Sequence, residues 1–228
     1  MNLPELVIFD MDGLIFDTEE LFSQELGKVM ETYGYRLTRE NYVRTIGIAR
    51  NDAERLMQEM YGKDYPFAEI SALTRGRVNK IAADGGLVIK PGIKELLQFL
   101  EKQKIACCVA SSSPQAIVTE YMVLAGIRKY FIGIFGGESV KRSKPAPDIF
   151  LAACAAYQVP PQKALVLEDS EAGILAALTG GIPVIAIPDM KQPSQELAAQ
   201  TLLTAPDAYE VAKFLNRLTI SIAEQAQS

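Results

Sequence analysis

The sequence predicts an α/β fold, a doubly wound parallel sheet with helices on both faces and an inserted group of helices. The candidate strands are continuous apolar runs, as expected for strands that are buried on both faces, and each is followed by a turn and a helical pattern. A long helical stretch between the first two runs predicts the insertion. The candidate strands lie at residues 6–9, 105–110, 131–135, 164–167 and 183–187.

Turn and capping residues bound the predicted helices. Asp17 followed by Glu20 resembles a capping box, and Gly34 ends the apolar residues at helical spacing that follow. Further along, Pro91 and Gly92 open a helix whose apolar face leads into the second strand. After residue 110 strands and helices alternate, which is typical of a doubly wound sheet.

The insertion divides the chain into two predicted parts, because it is far longer than a crossover connection needs. We predict an α/β core formed by residues 1–16 and 87–228 and a helical part formed by residues 17–86. Hinges between them are expected at residues 16–17 and 85–86, and closure of the helical part is expected to exclude water from the site.

The chain contains no histidine. This excludes Ser-His and Cys-His catalysis and histidine-ligated zinc or iron sites. Acid–base chemistry at neutral pH must therefore use carboxylates, lysine, tyrosine or thiol groups.

Charge and hydropathy exclude two classes of partner. With 23 Lys and Arg against 28 Asp and Glu, the net charge is −5, which argues against nucleic acid and anionic membranes as partners. No apolar run reaches the roughly 18 residues that a membrane span requires, and the first residues do not resemble a secretory signal. Three cysteines without zinc-like spacing favour a reduced, cytoplasmic chain.

Polar residues follow the predicted strands at their carboxyl ends, which is where open parallel sheets bind their ligands. Four acids placed together repel one another unless a cation lies between them, and carboxylate oxygens suit Mg²⁺. The sequence therefore predicts a Mg²⁺ site at this edge. The residues are Asp10 and Asp12 after the first strand, Ser111 and Ser112 after the second, Lys144 after the third, and Glu168 and Asp169 after the fourth.

Asp10 and Asp12 are two residues apart, so on an extended segment their side chains point the same way. One carboxylate can then act as a nucleophile while the other protonates a leaving oxygen. Taken singly, each is equally typical of a turn, and Glu168 with Asp169 is equally typical of a helix cap.

The second and third strands are followed by candidate phosphate ligands. Ser113 with Pro114 is typical of a helix N-cap followed by proline, and amides at a helix start bind phosphate with Ser111 as a further donor. Lys144, in the segment SKPAPD, is suited to neutralise a transferring phosphoryl group, although a lone lysine is more often a surface residue.

Four segments occur in the order FDMDG, VASSS, SKPAPDIF and LEDSEAG, between Phe9 and Gly173. Together they resemble the signature motifs of the haloacid dehalogenase (HAD) superfamily. More narrowly, they resemble its β-phosphoglucomutase-like and phosphoglycolate-phosphatase-like branch. The resemblance implies a Rossmann-like HAD core and identifies the insertion with the helical cap of that branch.

The resemblance also implies roles for the candidate residues. Asp10 would attack phosphorus and become an aspartyl phosphate, and Asp12 would be the acid that later activates water. Ser111 and Lys144 would hold the phosphoryl oxygens, with Ser112 as a further substrate-binding candidate.

A Mg²⁺ site is implied in the same way. Its ligands would be Asp10, the main-chain oxygen of Asp12 and Asp169. Glu168 would be either a ligand or an acid that contacts the ligands.

Three positions bear on the subtype. Dehalogenases and phosphonate-cleaving relatives lack the acid that is present here as Asp12, so both activities are disfavoured. The β-phosphoglucomutases carry a cap histidine at the position that matches Phe22, which favours hydrolysis over mutase activity. Arg50, in a segment that resembles the substrate loop of the cap, is either a substrate ligand or a solvated helix-start cation.

The predicted function is a Mg²⁺-dependent phosphatase that hydrolyses a small sugar or polyol phosphate through an aspartyl phosphate. A sugar phosphomutase with the same fold is the alternative, and a non-enzymatic phospho-receiver domain is an alternative of another class. The expected partner is a small phosphorylated metabolite, and a monomer is favoured.

Overall fold

A computed structural model describes residues 2–47 and 50–225, and its strands form one parallel sheet. The strands are β1 (Leu6–Phe9), β2 (Ala106–Ala110), β3 (Gly133–Phe135), β4 (Ala164–Glu168), β5 (Val184–Ala186) and β6 (Leu203–Thr204). The helices are α1 (Thr18–Thr32), α2 (Arg39–Val43), α3 (Arg50–Tyr61), α4 (Phe67–Ala83), α5 (Ile93–Lys102), α6 (Gln115–Leu124), α7 (Asp148–Ala156), α8 (Glu171–Thr179), α9 (Gln195–Ala198) and α10 (Ala208–Gln225). Short 3₁₀ turns lie at Arg128–Tyr130, Gly137–Ser139 and Pro161–Lys163.

The strands lie in the order β3-β2-β1-β4-β5-β6, and all neighbours are parallel. This confirms the predicted doubly wound α/β class. The order reverses at β1, because the chain first adds strands on one side of β1 and then returns to add β4 on the other. Residues that follow β1, β2 and β4 therefore share one edge at the switch point of the sheet.

Both faces of the sheet are covered, which explains why its strands are continuously apolar. All residues of β1 and β4 are buried. One face packs on α5, α6 and α10, represented by Leu96, Val118 and Val211. The opposite face packs on α7 and α8, represented by Phe150 and Ile174.

Helices α1–α4 lie between β1 and α5 and pack around a hydrophobic cluster of their own. Glu25 joins α1 to α4, with its carboxylate 2.6 Å from Lys28 Nζ and 2.6 Å from Arg77 Nε. Division of the chain at residues 16/17 and 86/87 stays a prediction, and this separate cluster is compatible with it. The buried members of the cluster are Leu26, Val29, Met30, Tyr42, Met57, Tyr65 and Ile70.

Two segments connect these helices to the sheet and run side by side. The Asp17 amide donates to the Val88 carbonyl at 3.0 Å, and the Lys90 amide donates to the Ile15 carbonyl at 2.9 Å. Of the glycine pair predicted as a hinge, Gly86 donates its amide to a carbonyl in the last turn of α4. The glycine pair therefore terminates helix α4, and its role as a hinge stays a prediction.

Cys107, Cys108 and Cys154 are free thiols, and all three are buried. Burial raises the pKa of Cys107 to about 12, so this thiol stays protonated at neutral pH and is a poor nucleophile. Within residues 2–47 and 50–225, no helix combines the length and apolar character that a membrane crossing needs.

Candidate active site

The residues that end or follow β1, β2 and β4 meet at the carboxyl edge of the sheet. Asp10 and Asp12 follow β1, and Ser111 follows β2. Glu168 is the last residue of β4, and Asp169 comes next. Ser111 and Glu168 are fully covered by the surrounding chain, although both are polar.

Lys144 reaches this group from the segment that precedes α7. Its Nζ lies 2.5 Å from Asp10 Oδ1, 2.6 Å from Glu168 Oε1 and 3.1 Å from the main-chain oxygen of Ala110. The ammonium group also lies 4.8 Å from the centre of the Phe150 ring. All three ammonium hydrogens thus have an acceptor, as a buried charge requires.

Three carboxylates form a compact group around this lysine. One oxygen each from Asp10, Glu168 and Asp169 lie within 4.8 Å of one another. Burial raises the pKa of Asp10 to about 7, with the Lys144 charge opposing and the Glu168 charge assisting the rise. Burial, followed by the charges of Glu168 and Asp10, also raises the pKa of Asp169 well above its usual range.

The donor set of this group fits a hard divalent cation. Carboxylate oxygens are the ligands that such cations take in proteins, and three of them converge here from two neighbouring strands. Three carboxylates share the one positive charge of Lys144. Burial is the largest cause of the raised pKa values of Asp10 and Asp169, and the Lys144 charge opposes the rise only in part. A cation would supply the missing positive charge.

Asp12 is held by hydroxyl groups. Ser113 Oγ donates to Asp12 Oδ2 at 2.8 Å, and Ser111 Oγ lies 3.5 Å from the same oxygen. Thr18 Oγ1 accepts from the Gly13 amide at 3.1 Å, which fixes the turn after Asp12. Burial raises the pKa of Asp12, and hydrogen bonds from Ser113 and Thr18 oppose the rise.

The predicted N-cap role of Ser113 is wrong. Pro114 has an extended ψ of 138°, so α6 begins only at Gln115 and Ser113 lies outside the cap position. Its hydroxyl turns to Asp12 instead. The Gln115 amide at the start of α6 donates to Glu138 Oε1 at 2.9 Å. It is therefore not free to bind a phosphate as the sequence predicted for amides at this helix start.

Two glycines allow the acids to approach the backbone closely. Gly13 has φ of +74°, and a Cβ there would overlap Asp169 Oδ2. A Cβ on Gly173, in α8, would overlap the carboxylate of Glu168. Glu168 therefore lies directly against the helix backbone, where Ser170 also holds it through its amide and hydroxyl at 3.0 and 2.9 Å.

A cavity of about 590 Å³ lies between the core and the inserted helices and reaches Asp12 and Ser113. Phe22 lines it and stacks on Tyr42 at 6.4 Å between ring centres. Glu19 also lines it, and accepts a hydrogen bond from the Tyr42 hydroxyl at 2.6 Å. The cavity thus has an aromatic wall and a carboxylate near the acids of the core.

The remaining candidates differ in whether they line this cavity. Arg50 lines it and places its guanidinium 5.8 Å from the centre of the Phe67 ring. Residues 48 and 49 of the predicted substrate loop lie outside the described residues. Ser112 is exposed and does not line the cavity, so its binding role stays a prediction.

Sequence reasoning missed Thr18, Glu19 and Ser113 as site residues. Thr18 and Glu19 begin α1 directly after the first acidic segment, and this position was the available signal for them. Ser113 has the sequence pattern of a capping residue, and nothing in that pattern indicates that its hydroxyl turns to Asp12.

A family model described as haloacid dehalogenase-like hydrolase matches residues 7–187. The chain is 31% identical over 178 residues to the phosphorylated carbohydrates phosphatase of Thermotoga maritima, covering 78% of this chain and 82% of that protein. The structure of CbbY from Rhodobacter sphaeroides in complex with phosphate has a TM-score of 0.73 and 26% identity, over 92% and 96% of the two chains. A mutant of that protein in complex with xylulose-1,5-bisphosphate has a TM-score of 0.72 and 26% identity, over 91% and 96%.

The matched region contains all four motifs and the inserted helices, and the observed fold agrees with the one the motifs imply. The chain therefore belongs to the haloacid dehalogenase-like hydrolase family.

Proposed function

We propose that the chain is a Mg²⁺-dependent phosphatase that hydrolyses a small sugar or polyol phosphate through an aspartyl phosphate on Asp10. The observation that carries the proposal is the contact of Lys144 with both Asp10 and Glu168, beside Asp169. A nucleophilic carboxylate, a fixed positive charge and a set of cation ligands are then joined at one point, which is what phosphoryl transfer needs.

In the first step, a carboxylate oxygen of Asp10 attacks phosphorus, and the bond from phosphorus to the ester oxygen breaks. Asp12 gives its proton to the departing oxygen, so that the product leaves as a neutral alcohol. Burial raises the pKa of Asp12 and thus favours the protonated form that this step requires.

In the second step, water attacks the phosphorus of the aspartyl phosphate. Asp12, now a carboxylate, takes a proton from that water, and Asp10 leaves phosphorus as a carboxylate with release of inorganic phosphate. Hydrogen bonds from Ser113 and Thr18 favour the charged form of Asp12 in this step.

Mg²⁺ bound by Asp10, Asp169 and the Asp12 main-chain oxygen, with Glu168 as a ligand or neighbour, would neutralise charge on the phosphoryl oxygens. Lys144 holds Asp10 in position, and one of its hydrogens must turn to a phosphoryl oxygen when substrate binds. Ser111 lies beside Asp12 and is the further candidate donor to that group.

The cavity supports a small organic phosphate as substrate. Its 590 Å³ exceed what a monosaccharide phosphate fills, and it is lined by polar and aromatic side chains that include Arg50 and Glu19. The Thermotoga relative is a phosphatase of phosphorylated carbohydrates, and the Rhodobacter structure holds a sugar bisphosphate. We expect Arg50 to meet a polar or anionic group on the part of the substrate that leaves.

Hydrolysis is favoured over phosphomutase activity by Phe22. Its ring stacks on Tyr42 at the cavity wall, where it has no proton to exchange with a sugar hydroxyl.

We also propose that residues 17–86 act as a cap that closes over the site. Matching cap positions with and without a bound substrate analogue would contradict closure.

The function is tested by incubating the chain with a panel of sugar and polyol phosphates and Mg²⁺, and measuring phosphate release. We expect the unchanged chain to release phosphate, and we expect no release after a chelator is added or from the variant Asp10→Asn. Conversion of a hexose 1-phosphate to its 6-isomer, followed by NMR, would instead support the mutase. A stable phosphoprotein without turnover would support the receiver.

A further inference from the structure

Asp189 lies in the loop after β5, outside the motifs that form the site. One of its oxygens, Oδ1, pairs with Lys90 Nζ. The two side chains are 13% and 17% exposed, so this ion pair is largely withdrawn from water. Lys90 belongs to the segment that returns from the inserted helices, and its amide is bonded to Ile15 on the outgoing segment.

The other oxygen of the same carboxylate, Asp189 Oδ2, is buried and has no hydrogen-bond partner among the described residues. A buried acceptor without a partner lowers the stability of the fold, and native structures contain few of them. Such an atom indicates that a water or a ligand satisfies it.

The position of this oxygen relates it to the metal ligands. A Cβ built on Gly13 would overlap Asp169 Oδ2 and would stand 3.5 Å from Asp189 Oδ2. One oxygen of each carboxylate therefore lies beside the Gly13 turn. A crevice of about 40 Å³ is lined by Asp169, Asp189 and Glu19, which is room enough for a water molecule.

We propose that Asp189 is a positioning residue for the divalent cation, and that its Oδ2 accepts a hydrogen bond from a water bound to that cation beside Asp169. The proposal rests on the cation site of the proposed function. A metal-bound water uses its lone pair on the metal and points its hydrogens outward, so its neighbour must be an acceptor.

Lys90 gives Asp189 a fixed orientation. Because the lysine occupies Oδ1, the second oxygen is held towards the Gly13 turn and Asp169. The same lysine is part of the paired segments that carry the inserted helices. In this proposal one carboxylate, that of Asp189, therefore contacts both the cation-bound water and these segments. Asp189 lies outside the set of acids whose oxygens come within 4.8 Å of one another, which argues against direct ligation.

The test is the affinity of Asp189→Asn for Mg²⁺, measured by calorimetry on the full chain without substrate. With its amide oxygen kept on Lys90, the asparagine presents NH₂ where the water needs an acceptor. We expect binding about tenfold weaker than in the unchanged chain, the usual effect of removing such an outer partner. Glu171→Gln is the matched control, since Glu171 lines the same crevice but is bonded to the Ser194 amide and paired with Lys191.

A second variant separates the hydrogen bond from the charge. Lys90→Met combined with Asp189→Leu removes the pair without changing net charge or leaving a buried ion, so the fold is expected to persist. Its Mg²⁺ affinity should also fall about tenfold. The melting temperature in chelator, compared with that in Mg²⁺, reports any purely structural effect separately.

Unchanged Mg²⁺ affinity in both variants would overturn the inference, and so would a lower melting temperature in chelator with unchanged affinity. Because no substrate is present, these outcomes are distinct from failure of the proposed function. That failure would appear as absence of Mg²⁺ binding or phosphate release in the unchanged chain, and absence of binding would overturn both.

Discussion

Ser113 Oγ lies 2.8 Å from Asp12 Oδ2, so a hydroxyl that follows β2 donates to a carboxyl that follows β1. Ser111 Oγ in turn accepts from the Ser113 amide at 3.0 Å. Ser111 thus orients Ser113, and Ser113 orients Asp12. The residue that we propose to move both protons is therefore positioned by a side chain from the neighbouring strand end.

Ser113→Ala is expected to lower kcat about tenfold or more, because a hydrogen bond to a charged group contributes about 1.5–3 kcal/mol. KM should change less, since the partner of this hydroxyl is Asp12. Steady-state phosphate release measures both constants. Ser113→Thr keeps the hydroxyl and should retain most of the rate, and a fully active Ser113→Ala would remove the serine from the mechanism.

Gly173→Ala is expected to displace Glu168, since the added Cβ would overlap its carboxylate. Overpacking of this kind costs about 1–3 kcal/mol of the free energy of unfolding, and we also expect weaker Mg²⁺ binding. Urea denaturation and calorimetry give the two quantities.

Gly76→Ala is the matched control for Gly173→Ala. Gly76 lies within α4 and has no neighbouring atom within 4 Å of an added Cβ. Alanine there should raise the free energy of unfolding by about 0.5–1 kcal/mol through helix propensity. Equal effects of the two substitutions would contradict the close packing of Glu168 on α8.

Lys144→Met should abolish phosphate release and lower stability most strongly when no cation is bound. The substitution leaves Asp10 and Glu168 buried without their positive partner, at a cost of about 3–5 kcal/mol in chelator. Saturating Mg²⁺ is expected to restore part of this loss. Denaturation curves in both conditions measure it, and equal losses would argue against a cation beside these acids.

Glu25→Gln tests the connection between α1 and α4 through pH. Hydrogen bonds from Lys28 and Arg77 lower the pKa of Glu25 below its usual value of 4.5. Its contribution is therefore complete above pH 4.5 and is lost as the pH falls through the lowered pKa.

At pH 7 we expect the variant to be about 1 kcal/mol less stable, because both cations are half exposed and solvent screens them. The difference from the unchanged chain should shrink as the pH falls below 4.5. Glu31→Gln, on an exposed position of the same helix, should have little effect at any pH. A constant difference for Glu25→Gln would contradict the pH argument.

The sheet could be predicted because its strands are buried on both faces and stand out as apolar runs. β6, with only Leu203 and Thr204, carries no such pattern, and its place depends on pairing with β5. The grouping of Asp10, Ser111 and Glu168 could be predicted because the carboxyl ends of parallel strands lie at one edge of a sheet, and the strand order places β1, β2 and β4 next to one another there.

The other parts of the site depend on the direction in which each side chain points, and the pattern of residues along the sequence does not indicate this direction. Ser113 has the pattern of a cap, but the extended conformation of Pro114 moves the helix start and frees the hydroxyl for Asp12. In the sequence alone, Asp189 has the pattern of an ordinary aspartate in a turn. Only the return of the Lys90 segment brings a partner to one of its oxygens and leaves the other facing the Gly13 turn.

The most direct measurement of the central claim is the location of the phosphoryl group on the enzyme. Asp12→Asn removes the base of the hydrolysis step, and a ³²P-labelled acyl phosphate has a leaving group that needs no proton from Asp12 in the first step. Acid quenching with that substrate should therefore trap label that alkali removes. Peptide mapping is predicted to place that label on Asp10. Label on another residue, or undiminished phosphate release by Asp10→Asn, would contradict the account.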